Sequence, residues 1–165
     1  MSNVKYTLSF DTSVDLGSVR KTLEELQAGE SIITYNTDES IFEISEIVSV
    51  EIDPDADYEK YYQGIKINYL PQVLTLDSII YVREDSEGET YLGYFTEEAP
   101  EIEGIAPEKL VKVTADKHKM FDGQVWVNID QISITACQGR VAHITVAKNH
   151  SIFAGNLLVS DYKVK

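Results

Sequence analysis

From Ser31 onward this chain is a succession of short apolar runs, rich in Val, Ile, Thr and Tyr, that turn residues interrupt. Branched and aromatic side chains favour extended backbone, and runs of about four to eight such residues between Gly, Pro, Asp or Asn are typical of β-strands. The pattern therefore predicts a mostly β fold of many short strands. The predicted strands are residues 32–35, 41–52 with an irregularity near Glu46, 64–69, 73–76, 79–83, 91–95, 125–129, 132–136 and a C-terminal pair.

The first 30 residues have a different texture. Residues 5–10 alternate polar and apolar side chains and predict a strand. Between residues 15 and 28 Leu and Val recur at three- and four-residue spacing, and Gly29 follows as a C-cap. This spacing predicts one short amphipathic helix, whose first turn Gly17 weakens. Further on, an acidic loop leads into a short helix or turn at residues 108–110.

The length and the cysteine content limit the class of protein. No linker or repeat interrupts the 165 residues, so we predict a single domain over residues 1–165. Cys137 is the only cysteine, the N-terminus lacks the apolar segment of a signal peptide, and no run approaches the roughly 18 apolar residues of a membrane helix. We expect a protein made in the cytoplasm, with no membrane partner.

The charge is strongly one-sided. Twenty-eight acidic against fourteen basic residues give a formal net charge of -14, which repels phosphate groups. We therefore expect no direct binding to nucleic acid. One alternative uses the same charge, since an acidic β protein can mimic nucleic acid and occupy the basic site of an enzyme, although the acidic residues here are spread along the chain.

The C-terminal stretch, residues 141–161 (VAHITVAKNHSIFAGNLLVSD), carries the most specific pattern. Apolar residues recur near period two at its start, Gly155 and Asn156 are a turn signal, and residues 157–159 are a short buried run. Two strands joined by a turn follow from the residues alone.

The same stretch resembles the C-terminal splicing region of inteins, in which a His close to an aromatic residue precedes an apolar strand and a final Asn. Residues 7–14 (TLSFDTSV) resemble the opening of an intein, residues 23–35 (LEELQAGESIITY) resemble the Leu-x-x-Gly-Asp stretch of inteins and hedgehog-type autoprocessing domains, and residues 73–82 (VLTLDSIIYV) are similar to the Thr-x-x-His segment. The resemblance covers approximately residues 7–161. It implies a compact Hint fold, which hedgehog and intein domains share, without an inserted endonuclease.

The resemblance places five residues of this chain at splicing-motif positions: Thr7, Ser78, His143, His150 and Asp161. Thr7 replaces the first Cys and offers a hindered alcohol of high pKa, while Ser78 replaces a His that acts as general acid. Asp161 replaces the Asn whose amide nitrogen cyclises, and Tyr162 follows where a Cys, Ser or Thr is expected. His143 stands where many inteins carry an acidic residue, so His150 alone matches the expected chemistry.

These departures predict a Hint scaffold that does not splice and is not an enzyme. We expect it to bind proteins or assemble, alone or with viral structural proteins, and a virus or phage structural component that ends in a virion is one such role. The alternative from the enzyme class is a weakly active autoprocessing domain that uses Thr7 as nucleophile and His150 as acid.

We predict no cofactor and no metal site. The acidic residues 53–59 resemble half of a calcium loop, but Tyr58 and Gly64 stand where an EF-hand needs Gly and Glu. Cys137, His143 and His150 match no common zinc spacing. We also expect Trp126 to anchor the core, with an exposed binding residue as the alternative.

Overall fold

The structure is a computed structural model that describes residues 8–9, 13–17, 19–22, 25–53, 61–138 and 141–164. This part of the chain is mostly β, with sixteen strands and a 3₁₀ turn at Pro107–Lys109, which confirms the predicted class. No helix within it is long and apolar enough to cross a membrane. The strands are β1 (Leu8–Ser9), β2 (Ser13–Asp15), β3 (Arg20–Thr22), β4 (Ser31–Asn36), β5 (Ile41–Ile52), β6 (Tyr61–Ile67), β7 (Leu74–Thr75), β8 (Ile80–Arg83), β9 (Tyr91–Tyr94), β10 (Leu110–Lys112), β11 (Lys119–Phe121), β12 (Trp126–Asn128), β13 (Ile132–Gln138), β14 (Val141–Val146), β15 (Ser151–Ala154) and β16 (Leu157–Ser160).

Seven strands form the first sheet, in the order β13-β6-β7-β1-β14-β5-β4. The long strand β5 pairs with β4 over its first half and with β14 over its second. Thr145 lies opposite Ser49, whereas Val146 lies opposite Ile47, so Val48 is an extra residue between them. The irregularity predicted in this strand is therefore a β-bulge at Val48, which bends the strand and increases its local twist.

The second sheet has the order β10-β9-β8-β16-β15-β2-β3, and β11 and β12 attach to it through β8. The predicted C-terminal hairpin is confirmed, because β15 pairs with β16 across the turn at Gly155, whose φ is +63°. β8 and β9 form a second hairpin. Val159 of β16 lies opposite Ile80 of β8. This pairing brings the end of the C-terminal hairpin to the start of β8, where the candidate site lies.

The core lies between the two sheets. Its main cluster combines Ile47 and Ile144 of the first sheet with Val82, Ile152 and Leu157 of the second, all nearly inaccessible to solvent. All four residues of β15 and all four of β16 are buried, because both faces of this hairpin are covered. The apolar run that predicted a buried strand at residues 157–159 is thus at the centre of the molecule.

The predicted helix over residues 15–28 is wrong for the residues described there. β2 and β3 form a hairpin in which Asp15 lies opposite Arg20. The Gly17 N–H donates to the Asp15 carboxylate at 2.8 Å, and Gly17 has a φ of +102°, which a helix does not accommodate. Val19, which should lie on the apolar face, is 52% exposed. A single short helix is marginal by itself, and pairing with β15 overrides the helical spacing.

Trp126 is partly buried and packs against the second, aromatic cluster of the core. Its ring centroid lies 5.2 Å from that of Phe121, and the Arg83 guanidinium carbon lies 4.2 Å from its ring. This arrangement agrees with the core interpretation of the residue. The acidic loop resembling a calcium site lies largely outside the described residues, since positions 54–60 are not among them.

Candidate functional site

Asp161 directly follows β16, and its side chain is enclosed by protein. The residue is 3% exposed. The backbone N–H of Val146 donates to Oδ2 at 2.8 Å, and Nδ1 of His150 donates to Oδ1 at 2.8 Å. The Asp161 N–H donates in turn to the carbonyl of His150 at 3.1 Å. One carboxylate oxygen is therefore held by the last residue of β14 and the other by the turn that connects β14 to β15.

His150 closes this segment in a conformation that few residues adopt. Asn149 and His150 have φ values of +66° and +46°, in the left-handed region. Tyr81 holds both residues there, because its hydroxyl donates to the His150 carbonyl at 2.7 Å and lies 3.3 Å from the Asn149 carbonyl. The Asn149 amide also donates to the Thr34 hydroxyl at 2.9 Å. The strain persists because several contacts fix this turn.

The imidazole of His150 is accessible. Its side chain is 52% exposed, and its ring stacks on Tyr162 with 4.3 Å between the centroids. Because the carboxylate of Asp161 only accepts, the contact assigns the proton to Nδ1. Burial raises the pKa of Tyr81 well above its usual value, and burial also raises that of Tyr162. Both phenols are therefore neutral at physiological pH, and neither can act as a base there.

His143 approaches Asp161 from the first sheet. Its Nε2 lies 2.8 Å from the main-chain oxygen of Asp161, and since a carbonyl only accepts, Nε2 carries the proton. His143 is fully buried in β14. Burial lowers its pKa below the usual value, although the bond to Asp161 acts in the opposite direction. The neutral ring is a fixed donor that positions the main chain at Asp161.

Ser78 directly precedes Ile79, whose backbone pairs with the end of β16. Its N–H donates to the Thr75 carbonyl, its hydroxyl lies 3.3 Å from the Thr75 hydroxyl, and the side chain is buried. The adjacent Ile79 carbonyl accepts from the Ser160 N–H at 2.8 Å. Hydrogen bonds thus join His143 and His150 to Asp161, whereas Ser78 is linked to this group through the backbone pairing of Ile79 with Ser160. Thr7 lies outside the described residues.

The residues after Asp161 are part of the folded structure. The Tyr162 N–H donates to the Ser160 hydroxyl at 2.9 Å, beneath the stack with His150. Lys163 forms an ion pair with Glu51, and Val164 forms an antiparallel bridge with Ile102. The three residues after Asp161 therefore all contact the rest of the folded chain.

A cleft of about 310 Å³ opens beside His150 and is lined by three tyrosines, Tyr81, Tyr91 and Tyr162, together with Asp38 and Lys109. Within the described residues no group of three acidic, His or Cys side chains is placed to hold a metal ion. The sequence did not reveal the roles of Tyr81 or of the Val146 N–H. Tyr81 bonds to His150, which is 69 positions further along the chain, and a backbone donor has no signature in sequence.

Comparison with known proteins gives matches in structure alone. No protein-family model and no curated protein match the sequence. An intein-like domain from Clostridium thermocellum superposes with a TM-score of 0.64 at 14% identity, covering 94% of this chain and 99% of that one. A DnaB intein from Synechocystis sp. PCC 6803 gives 0.60 at 15% identity, covering 95% and 99%. The Ssp DnaB mini-intein variant M86 gives 0.62 at 14% identity, covering 98% and 97%. At such identities these matches establish the fold and nothing finer.

Proposed function

We propose that this chain, which has the fold of intein and intein-like (Hint) domains, does not splice and serves as a protein-binding scaffold. The proposal that the chain does not splice rests on the hydrogen bonds of the Asp161 side chain. Its two carboxylate oxygens accept from the Val146 N–H and from His150, so the side chain connects the end of β16 to the end of β14 and to the turn before β15. A carboxylate also lacks the nitrogen nucleophile through which a terminal Asn cyclises.

The surroundings of Asp161 support the same conclusion. Ser78 offers no group that titrates near neutral pH, and its hydroxyl faces that of Thr75 inside the protein. The ion pair of Lys163 with Glu51 and the bridge of Val164 to Ile102 hold the downstream segment in place. His150 and Asp161 thus form a structural junction between the two ends of the C-terminal hairpin.

The binding half of the proposal is supported by an exposed apolar strip on β5. Phe42, Ile44 and Val48 alternate along one face of the strand and are 51%, 70% and 55% exposed. Large side chains exposed together in this way mark contact surfaces more often than isolated ones do. Glu46 lies between them on the same face and is also exposed. The strip therefore fits an apolar protein surface that carries a basic residue.

A fusion experiment tests the first half. One foreign folded protein is fused upstream of residue 7. A second is fused downstream of residues 162–165, which are retained, and the products are followed by gel and intact mass. We expect the full-length fusion alone. Ligated flanking proteins or fragments ending at residue 161 would overturn the proposal. A matched His150→Ala fusion then shows whether such products depend on the site.

The same experiment decides the enzymatic alternative, a weakly active autoprocessing domain. One contact favours that alternative: His150 is half exposed and lies 2.8 Å from Asp161, where it could carry a proton. Loss of the products in the His150→Ala fusion would support it. A place in a virus or phage particle stays a prediction. Binding to proteins encoded beside this one, weakened by Ile44→Glu and retained in Val125→Glu, would support the scaffold role.

A further inference from the structure

Strand β13, Ile132–Gln138, forms one end of the first sheet. It pairs with β6 over seven consecutive residue pairs, from Ile132 opposite Ile67 to Gln138 opposite Tyr61, without a shift in register. No described strand pairs with its other edge. That edge presents a row of backbone N–H and C=O groups, which is a template for a further strand.

β13 lacks the features by which proteins protect such edges. Its sequence, ISITACQ, contains no charged residue and no proline. Ile134 is 68% exposed, in the middle of the strand. Natural edge strands are usually short, charged, bulged or covered, because a long uncharged edge recruits other chains. β13 has seven regular residues and none of these devices.

The other sheet ends in the described part of the chain are short or protected, and β12, which pairs only with β11, has just three residues. β3 carries Arg20 and Lys21, and the three-residue β10 ends at Lys112. β4 is covered by β15, since the Tyr35 N–H donates to the Ser151 hydroxyl, which donates back to the Tyr35 carbonyl. The contrast indicates that the open edge at β13 has a partner.

We infer that β13 pairs antiparallel with β13 of a second copy of this chain. This inference rests on the proposed binding role and names the partner within it. Antiparallel pairing of identical strands follows a two-fold axis and therefore closes at a dimer. In a register centred on Ile134, each exposed isoleucine covers the other across that axis.

The distribution of charge limits where a second copy can bind. Each chain has a net charge of -14, so two copies repel each other over most of their surface. β13 itself carries no charge, and the nearby Asp130 and Lys66 are of opposite sign. The remaining repulsion is screened over about 8 Å at physiological salt. Among the described residues, this edge is a place where two copies can approach without placing like charges together.

Analytical ultracentrifugation of the full chain between about 5 µM and 0.5 mM tests the inference. Because the contact is small, we expect a weak dimer that accounts for at least about half of the protein at the highest concentration. In Ile134→Lys and Ile134→Glu, like charges meet across the axis, and each variant should dimerise about 10-fold more weakly. A mixture of the two variants should recover the dimer, because opposite charges then face each other.

Val125→Lys and Val125→Glu are the matched controls, since Val125 is 59% exposed in the turn between β11 and β12 of the other sheet. They should dimerise like the parent chain. Far-ultraviolet circular dichroism checks that all variants fold. Amide exchange of the parent chain should show protection of residues 132–138 that increases with concentration, a readout that needs no variant.

A monomer of 18.6 kDa at every concentration would overturn the inference. So would equal weakening by the Val125 variants, or a mixture of Ile134 variants that stays monomeric. If the chain sediments as a monomer and the fusion protein stays intact, the second copy is ruled out as partner, but the non-splicing proposal stands. Processed fusion products would refute that proposal without affecting the measured dimer.

Discussion

Replacing Asp161 by alanine should destabilise the fold, because the carboxylate satisfies a buried donor. Val146 is 3% exposed, and its N–H donates to Oδ2 at 2.8 Å. Leaving such a donor unsatisfied costs about 1–3 kcal/mol. The bond from His150 adds about 0.5–1 kcal/mol, since the imidazole is half exposed and finds water instead. We therefore expect Asp161→Ala to lose about 1.5–4 kcal/mol of stability.

Asp161→Asn is the matched control. The amide oxygen can still accept from the Val146 N–H, and the amide nitrogen can donate to His150 Nδ1 once the ring takes its other neutral tautomer. The loss should then be about 1 kcal/mol or less. The difference between the two variants isolates the hydrogen bonds from the change in charge.

Urea unfolding at pH 7, followed by the fluorescence of the single tryptophan, Trp126, measures both losses. The two variants and the parent should unfold with the same dependence on urea, so that midpoints report stability. The loss in Asp161→Ala corresponds to a fall in Tm of about 5–12 °C for a chain of this size. A loss below about 0.5 kcal/mol in Asp161→Ala would refute the structural role of this carboxylate, and an equal loss in Asp161→Asn would refute its assignment to the two hydrogen bonds.

Three further predictions concern the surroundings of the site and the core. Tyr81→Phe removes the hydroxyl that holds the left-handed turn at His150 and should cost about 1–2 kcal/mol, with faster amide exchange in the turn; an unchanged turn would show that other contacts suffice. Burial lowers the pKa of His143, so the unfolded chain takes up a proton at a higher pH than the folded chain does. The free energy of unfolding should therefore be greatest above about pH 6.5 and decrease as the pH falls below it. Urea unfolding from about pH 7.5 to 5.5 should show a smaller decrease in His143→Gln than in the parent. Gly93→Ala places a Cβ 2.5 Å from a methyl group of Val113 and should cost about 1–3 kcal/mol, which Gly93→Ala/Val113→Ala should partly recover if steric overlap is the cause.

The strands could be predicted from the sequence because their signals are local. The apolar run at residues 157–159 and the turn at Gly155 define a hairpin by themselves, and the structure buries both of its strands. The segment at residues 15–28 has an equally clear helical spacing, yet there β2 joins the edge of β15 through Val14. That contact spans 140 positions of the chain, so the local pattern contains no trace of it.

The candidate site was only partly accessible to sequence reasoning. The resemblance to inteins identified His143, His150 and Asp161, and the structure places each histidine within hydrogen-bond distance of Asp161. What they do there depends on partners without a sequence signature. The Val146 N–H is a backbone group, and Tyr81 belongs to a strand that looks like any other buried strand. Both groups form hydrogen bonds with residues at motif positions, the Val146 N–H with Asp161 and the Tyr81 hydroxyl with the carbonyl of His150.

Intact-mass spectrometry of the purified chain tests the central claim, that the splicing fold is retained here without self-processing. The chain is incubated for days at several pH values between 5.5 and 8.5, alone and with a thiol or hydroxylamine as an external nucleophile. The account predicts one species at the full mass of 18.6 kDa throughout. A species that ends at Asp161 and lacks residues 162–165, or one that begins at Thr7, would contradict it.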